Sequence, residues 1–243
     1  MITKKIKLLA RGLGFDISRY RPDTHHDARY RHLLDTRDIR LILDVGANTG
    51  QYGSLLRSTY GYRGRILSFE PLTTAHTALR TRAAADSLRL WEVAPRTALG
   101  AVNGKSTIHV AGNSVSSSIL TMEPSHESAA PQSIGRGVEE ITISRLDDII
   151  RERGISVDRQ VLLKIDTQGY ELEVLKGAEE TVAAVGAIQT EMSFQRLYGS
   201  QPLFDEVYAY VVGHGFTVFD IIPGFSDPRS GRLLQADGIF VRD

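Results

Sequence analysis

Two apolar runs that each end in an acidic residue constrain the fold of this chain more than any other feature. The first lies in LILDVGANTG (residues 41–50), where the run ends at Asp44 and a glycine turn follows. The second lies in ILSFEP (residues 66–71) and ends at Glu70. A short continuous apolar run is typical of a buried parallel strand, and glycines at its end permit a tight turn that approaches a ligand closely. The pair predicts a strand–turn–helix–strand unit of a parallel sheet.

The acid that follows the second strand indicates a nucleoside site. An acid at this place in a βαβ unit can accept hydrogen bonds from a ribose diol, which assigns Glu70 to the ribose. The turn reads Gly46-x-x-x-Gly50, with Asn48 inside it, and lacks the three glycines of a dinucleotide site. Asp44 would repel a pyrophosphate but suits the cationic methionine part of S-adenosylmethionine, which is therefore favoured over a nicotinamide cofactor. The alternative is an ordinary βα turn, in which the glycines only permit the backbone conformation and no ligand binds.

Composition narrows the class of protein. The 243 residues suffice for one α/β domain, and the 29 basic and 29 acidic residues balance, which argues against a nucleic-acid partner. Cysteine is absent, so disulfides, thiolate metal sites and a cysteine nucleophile are excluded. No apolar run approaches the roughly 20 residues that span a bilayer, and the N-terminal apolar stretch is shorter than a secretory signal requires. We expect a cytoplasmic location.

The first forty residues differ from the rest, and we divide the chain into a basic helical N-terminal extension (1–40) and a second domain (41–243). Ile2, Ile6, Leu9 and Leu13 follow near-helical spacing among lysines and arginines, which predicts a short basic amphipathic helix. One interpretation packs this helix on the core. The other places it against an anionic membrane surface, or over an acceptor.

Beyond residue 40, predicted strands alternate with predicted helices, which indicates an α/β fold with a doubly wound, mostly parallel sheet. Asn103-Gly104 between two strand-like runs predicts a hairpin. Residues 111–138 are small and polar and predict a long functional or mobile loop. Residues 171–185 predict one helix.

Four acids fall at the ends of predicted strands, where ligands bind in open α/β sheets: Asp44, Glu70, Asp166 and Glu191. Asp166 and Glu191 would follow neighbouring strands, near the reacting methyl group. They could hold a divalent cation, orient an acceptor hydroxyl or act as a general base, and we predict them as the catalytic residues. The alternative is structural: Asp166 caps the next helix and Glu191 pairs with a basic loop residue.

Five segments in order, spread over about residues 40–222, resemble the FkbM family of S-adenosylmethionine-dependent methyltransferases. They are LDVGANTG, LSFEP, NSVSSS, ITISRLDDII and KIDTQGYELEVLKGAEE. The resemblance implies a Rossmann-like methyltransferase fold, with an antiparallel C-terminal strand, and methyl transfer to a hydroxyl of a sugar or polyketide. By position, it implies that one set of residues lines the methionine end of the cofactor: Asp44, Gly46, Asn48 and Gly50. Asn113 and Ser117 would lie near cofactor and acceptor. Tyr52, beside the turn, either contacts the methionine carboxylate or packs against neighbouring side chains without a ligand contact.

The chain departs from its relatives after Asp166. The family usually has Val-Glu-Gly there, whereas this chain has Thr167-Gln168-Gly169. In related macrocin-type sugar methyltransferases a second acid at the position of Gln168 is thought to be the base, and glutamine cannot take a proton. Those relatives use a divalent metal held by strand-end acids. Asp166 and Glu191 match two of these places and no third acid is evident, which leaves metal dependence open.

Three functions follow from these observations. The first is O-methylation of a small-molecule or glycolipid acceptor by S-adenosylmethionine, with peripheral membrane contact through the basic helix. The second is methylation of a carboxylate or nitrogen. The third is a cofactor-binding protein without catalysis, in which Gln168 marks a lost base. The sequence carries no signal for an oligomeric state.

Overall fold

The computed structural model describes residues 4–242 and is built around a seven-stranded sheet. In spatial order the strands are Trp91–Val93 (β3), Arg65–Phe69 (β2), Leu41–Val45 (β1), Val161–Ile165 (β7), Ala187–Ser193 (β8), Gln235–Val241 (β10) and Thr217–Pro223 (β9). The pairs from β3 to β8 are parallel, and β10 runs antiparallel to both β8 and β9. The predicted doubly wound sheet with an antiparallel C-terminal strand is confirmed.

The sheet is covered on both faces, and its central strands are mostly apolar, with Asp44 in β1 and Lys164 in β7 as the two charged residues. All five residues of β1 and of β7 are buried. Successive strand residues point to opposite faces. Accordingly Leu41, Leu43 and Val45 belong to one core cluster, whereas Ile42 belongs to a second cluster across the sheet.

Nine α-helices lie within the described residues. They are Lys4–Gly12 (α1), His26–Thr36 (α2), Gln51–Ser58 (α3), Thr73–Ala84 (α4), Pro124–Ala129 (α5), Leu146–Glu152 (α6), Glu171–Lys176 (α7), Glu179–Ala184 (α8) and Phe204–Gly213 (α9). The single helix predicted over 171–185 is two helices. The chain turns at Gly177, where a Cβ atom would lie 1.9 Å from the carbonyl oxygen of Gly100.

A small second sheet, which the sequence did not predict, joins Ala98–Leu99 (β4), Gly137–Ser144 (β6) and Gly104–Val110 (β5), with β6 in the middle. The hairpin predicted at Asn103-Gly104 is wrong, because β4 and β5 both pair with β6 and not with each other. Asn103 instead holds the start of α6: its amide accepts the N–H of Arg145 at 2.7 Å and donates to Asp148 at 2.7 Å.

The N-terminal extension contains two different helices. Helix α1 forms where predicted, but none of its residues is buried, and Ile6 and Leu9 are 50% and 70% exposed. The interpretation that it packs on the core is wrong; Ile2 lies outside the described residues. Helix α2 contributes Tyr30, Leu33 and Leu34 to the core. No helix in residues 4–242 has the length and hydropathy needed to cross a membrane.

The predicted polar loop 111–138 is ordered into short pieces. It holds a 3-10 turn at Ser114–Ser116, helix α5 and a second 3-10 turn at Pro131–Ser133. Its first turn lies against the strand ends, which makes it part of the wall described next.

Candidate active site

A cavity of about 390 Å³ lies at the carboxyl ends of the central strands, where ligands bind in open α/β sheets. Its wall follows the rim of the sheet from β2 to β9. We call the β1–β2 side the cofactor end, formed by Gly46, Asn48, Glu70, Leu72 and Ser117. We call the β8–β9 side the acceptor end, formed by Asp27, Tyr30, Tyr60, Gln189 and Asp237. Asp166, after β7, lies between the two.

Glu70 organises the glycine turn as well as lining the cavity. Its two carboxyl oxygens accept the backbone N–H groups of Asn48 at 2.8 Å and Leu72 at 2.9 Å. Asn48 has a left-handed φ of 46°, which an asparagine tolerates. Burial raises the pKa of Glu70 to about 7, against the opposing effect of these two hydrogen bonds. An ionised carboxylate at this place can accept both ribose hydroxyls, whereas the protonated form turns one of its oxygens into a donor.

The two glycines of the turn have different neighbours. Gly46 lines the cavity, and a Cβ atom there would lie 1.8 Å from the carbonyl oxygen of Asp166, so only glycine lets the turn approach β7. A Cβ atom at Gly50 would instead meet Leu79 and Trp91 at 3.0 and 3.1 Å. Gly50 is not among the residues that line the cavity. Gly46 and Asn48 do line it, and they are therefore the residues of the turn that are placed to contact the predicted cofactor.

Asp44 lies beneath the cavity wall, which corrects its predicted position at the methionine end. It is fully buried and accepts a hydrogen bond from Ser68 Oγ at 2.9 Å. Lys164 Nζ lies 3.2 Å from Asp44 Oδ1 and 3.6 Å from Asp166 Oδ2. Burial lowers the pKa of Lys164, but these two carboxylates outweigh it and raise the pKa above its ordinary value, so the ammonium stays charged.

Lys164 is a lining residue that sequence reasoning missed. The signal was present as a single lysine inside the apolar run Val161–Ile165, since a charged residue is almost never fully buried unless it is paired. Its ammonium also lies 5.2 Å from the ring centroid of Tyr52.

Asp166 and Glu191 are brought together, but through a third side chain. Gln168 Nε2 lies 2.8 Å from Asp166 Oδ1 and 3.1 Å from Glu191 Oε2, and Gln235 Nε2 lies 2.7 Å from the same Glu191 oxygen. Asp166 lines the cavity with a side chain 38% exposed, whereas Glu191 does not line it. Burial and the charge of Asp166 raise the pKa of Glu191. The hydrogen-bond partners of Glu191 are thus two amides and not a basic residue, and its predicted catalytic role stays a prediction.

The loop after Asp166 is held by Glu171, which sequence reasoning also missed. Glu171 Oε1 accepts the backbone N–H groups of Thr167 at 2.9 Å and Gly169 at 3.0 Å. The helix cap proposed as a structural role for Asp166 is not observed: Tyr170 is the N-cap residue of α7 and no side chain caps the helix there. The pKa of Glu171 is raised to about 7 by burial, although its hydrogen bonds to the backbone lower it.

The loop that begins at Asn113 reaches the cofactor end through its serines. Ser114 Oγ donates to Asn48 Oδ1 at 3.1 Å, and Ser117 Oγ accepts the N–H of Ala111 at 3.0 Å. Ser114 and Ser117 line the cavity; Asn113 is not among the lining residues.

The acceptor end carries a chain of polar groups from distant parts of the sequence. The hydroxyls of Tyr30 and Tyr52 are hydrogen-bonded, and Tyr52 donates to Gln189 Oε1 at 3.3 Å. Tyr60 donates to Asp27 Oδ1 at 3.0 Å. Burial, followed by the charge of Asp166, raises the pKa of Asp237 to about 6. A contact of Tyr52 with a methionine carboxylate stays a prediction.

Three comparisons bear on this site. The model of the FkbM methyltransferase domain matches residues 44–218. The methyltransferase sdnD of Sordaria araneosa is 27% identical over 157 residues, which are 57% of this chain and 60% of that protein. The crystal structure of methyltransferase FkbM from Methylobacillus flagellatus superimposes with a TM-score of 0.50 at 14% identity, over 83% of this chain and 44% of that one. At this identity the structural match shows only that the two proteins share a fold.

Proposed function

This chain belongs to the FkbM methyltransferase family, and we propose that it transfers the methyl group of S-adenosylmethionine to a hydroxyl of a sugar, glycolipid or polyketide-type acceptor. The observation that carries the proposal is one continuous cavity that joins Glu70 to the polar acceptor end past Asp166. Methyl transfer requires the two reactants to share such a space.

The cofactor end fits an adenosylmethionine. The carboxylate of Glu70 suits a ribose diol, and Leu72, Ala98 and Ile108 supply an apolar wall for an adenine ring. Gly46 and Asn48 line the cavity beside the end of β7, where the methionine part would lie. When bound, the cofactor supplies an electrophilic methyl group on a cationic sulfur.

The acceptor end suits an uncharged polyhydroxylated molecule. Tyrosine hydroxyls, the amide of Gln189 and the carboxyl of Asp237 offer both donors and acceptors. In the reaction a hydroxyl oxygen of the acceptor forms a bond to the methyl carbon as the carbon–sulfur bond breaks, and the hydroxyl proton passes to Asp166. Positioning supplies up to about 7–11 kcal/mol of the barrier reduction. A base adds roughly 10²–10⁴-fold in rate.

Helix α1 supports a membrane-associated acceptor within this proposal. Ile6, Leu8 and Leu9 are exposed on a helix that also carries three lysines and an arginine. A basic helix with an apolar face binds the interface of anionic membranes. We propose that it brings a lipid-linked acceptor to the cavity.

The test is cofactor turnover against an acceptor panel. Release of S-adenosylhomocysteine is measured with soluble sugars, glycolipids, polyketide alcohols, carboxylic acids and amines, and each product is weighed for the gain of one methyl group. Turnover with hydroxyl acceptors only is expected. Turnover with carboxylates or amines alone would reject the hydroxyl assignment, and cofactor binding without turnover on any acceptor would favour the non-catalytic alternative.

A further inference from the structure

The side-chain amide of Gln168 lies between two carboxyl groups. One nitrogen, Nε2, is within 2.8 Å of Asp166 Oδ1 and 3.1 Å of Glu191 Oε2. A primary amide has two N–H donors, and two carboxylates offer only acceptors. Both hydrogens of the amide are therefore used in joining these two acids.

The amide oxygen of Gln168 points to the side opposite the acids. There the hydroxyl of Tyr198, which is fully buried, lies 2.9 Å from Gln168 Oε1 and 3.0 Å from the carbonyl oxygen of Ser116, and these two oxygens share its one hydrogen. The two acids themselves set the direction of the amide. A reversed amide would direct its oxygen at two carboxyl groups.

The backbone that carries Gln168 is equally constrained. Gln168 has a left-handed φ of 56° and Gly169 a φ of 98°. The backbone oxygen of Gln168 accepts Ser118 Oγ at 2.7 Å, and Glu171 holds the amides of Thr167 and Gly169. A non-glycine residue rarely adopts this conformation, which persists where its surroundings impose it.

These contacts do not fit a divalent cation. Magnesium and manganese take oxygen ligands, and here the group between the two acids presents amide hydrogens. Within residues 4–242 no three His, Cys, Asp or Glu side chains are arranged to hold a metal ion. We propose that the amide of Gln168 occupies the place of a cation between Asp166 and Glu191 and fixes Asp166 in the cavity without a metal.

Gln168 is thus a positioning residue that acts through Asp166. The proposal concerns the site of the proposed function, but it does not depend on the acceptor. It predicts that a carboxylate at position 168 converts the amide bridge into a cation site with three acids.

The experiment is titration of the full-length protein with Mn²⁺, followed by electron paramagnetic resonance. We expect Gln168→Glu to bind one Mn²⁺ at least about tenfold more tightly than the wild type, because affinity rises with the number of charged oxygen ligands. Mn²⁺ should raise the melting temperature of Gln168→Glu and leave that of the wild type unchanged, since a ligand stabilises only the fold that binds it.

Gln235→Glu is the matched control. Gln235 also donates to Glu191, at 2.7 Å, but has no contact with Asp166 among the hydrogen bonds of the described residues. This variant adds the same charge beside Glu191 without placing it between the two acids, so its Mn²⁺ affinity should equal that of the wild type.

Two outcomes overturn the proposal. One is a wild-type protein that binds one Mn²⁺ tightly and loses that binding in Asp166→Asn; this measurement needs no engineered variant at position 168 to fold. The other is equal Mn²⁺ binding by Gln168→Glu and Gln235→Glu. Binding of S-adenosylmethionine, measured on the same wild-type sample, separates these outcomes from a failure of the proposed function, which would abolish cofactor binding and leave the Mn²⁺ comparison intact.

Discussion

The two ends of the cavity are built in opposite ways. Apart from Ser117, the cofactor end comes from residues 46–72, a single stretch in which Glu70 holds the turn through the N–H of Asn48. The acceptor end gathers side chains from α2, the loop after α3, β8 and β10, so that Asp27 and Asp237 share one wall although most of the chain separates them.

This difference explains what each end can do. A turn fixed by backbone hydrogen bonds has few ways to vary without losing its geometry. A wall of side chains from separate elements can change one residue at a time. The cofactor end therefore suits a ligand common to a family, and the acceptor end suits a ligand that differs among its members.

The largest expected effect is at Asp166, between the two ends. Asp166→Asn keeps the size of the side chain and removes the charge proposed to take the acceptor proton, so turnover should fall by roughly 10²–10⁴-fold. Cofactor affinity by calorimetry and the melting temperature should not change. Wild-type turnover in this variant would show that Asp166 takes no part in the reaction.

The next effect tests the cofactor end alone. Glu70→Ala removes hydrogen bonds to the ribose that contribute on the order of 1.5–3 kcal/mol each, so the dissociation constant of S-adenosylmethionine should rise at least about tenfold. Calorimetry checks the affinity, and circular dichroism checks that the fold is retained. Glu152→Ala, which alters an exposed acid in α6, is the control. An unchanged affinity in Glu70→Ala would show that the ribose lies elsewhere.

The pKa of Glu70, raised to about 7, makes cofactor binding depend on pH. Only the ionised carboxylate accepts both ribose hydroxyls, so affinity should increase as the pH rises from 6 to 8, by roughly tenfold if the protonated form does not bind. The effect of pH on folding stability has the opposite sign. The pKa lies above the ordinary glutamate value of 4.5, so the contribution of this group to stability is present below about 4.5 and is lost as the pH rises through 7. Glu70→Gln should flatten the binding profile; a profile of wild-type shape in that variant would assign the dependence to another group.

A smaller effect isolates the acceptor end. Tyr30→Phe removes the hydroxyl bonded to Tyr52, and a net loss of about 0.5–1.5 kcal/mol should raise the KM for the acceptor by roughly two- to tenfold. The affinity for S-adenosylmethionine should stay as in the wild type. Tyr20→Phe, at a tyrosine 54% exposed, is the matched control. A variant that weakens cofactor and acceptor equally would show that the two ends are not separable.

Deletion of residues 1–13 should have the smallest effect on the cavity. No residue of α1 is buried, so the melting temperature and cofactor affinity should not change. Activity on a lipid-linked acceptor should fall while activity on a short soluble analogue persists, as assays on both would show. Equal loss on both acceptors, or no loss on either, would show that α1 takes no part in acceptor binding.

The same difference between the ends decides what the sequence could predict. Asp44 and Glu70 end apolar runs, and their spacing identified the crevice because neighbours in sequence are neighbours in space there. Lys164, Asp237 and the tyrosines of the acceptor end have no such pattern, since their proximity depends on strand order. The bridge through Gln168 was missed for a third reason: it depends on the direction of one amide, which is set by contact with Glu191, 23 residues further along the chain.

The strand order of the sheet also has a consequence for how the chain acquires its shape during synthesis. β9 pairs only with β10 within the described residues, and β10 lies between β9 and β8. Until the ribosome has released residues 235–241, the earlier segment 217–223 has no strand to join. Asp237 arrives with that last strand, so a nascent chain can complete the cofactor end well before the acceptor end exists.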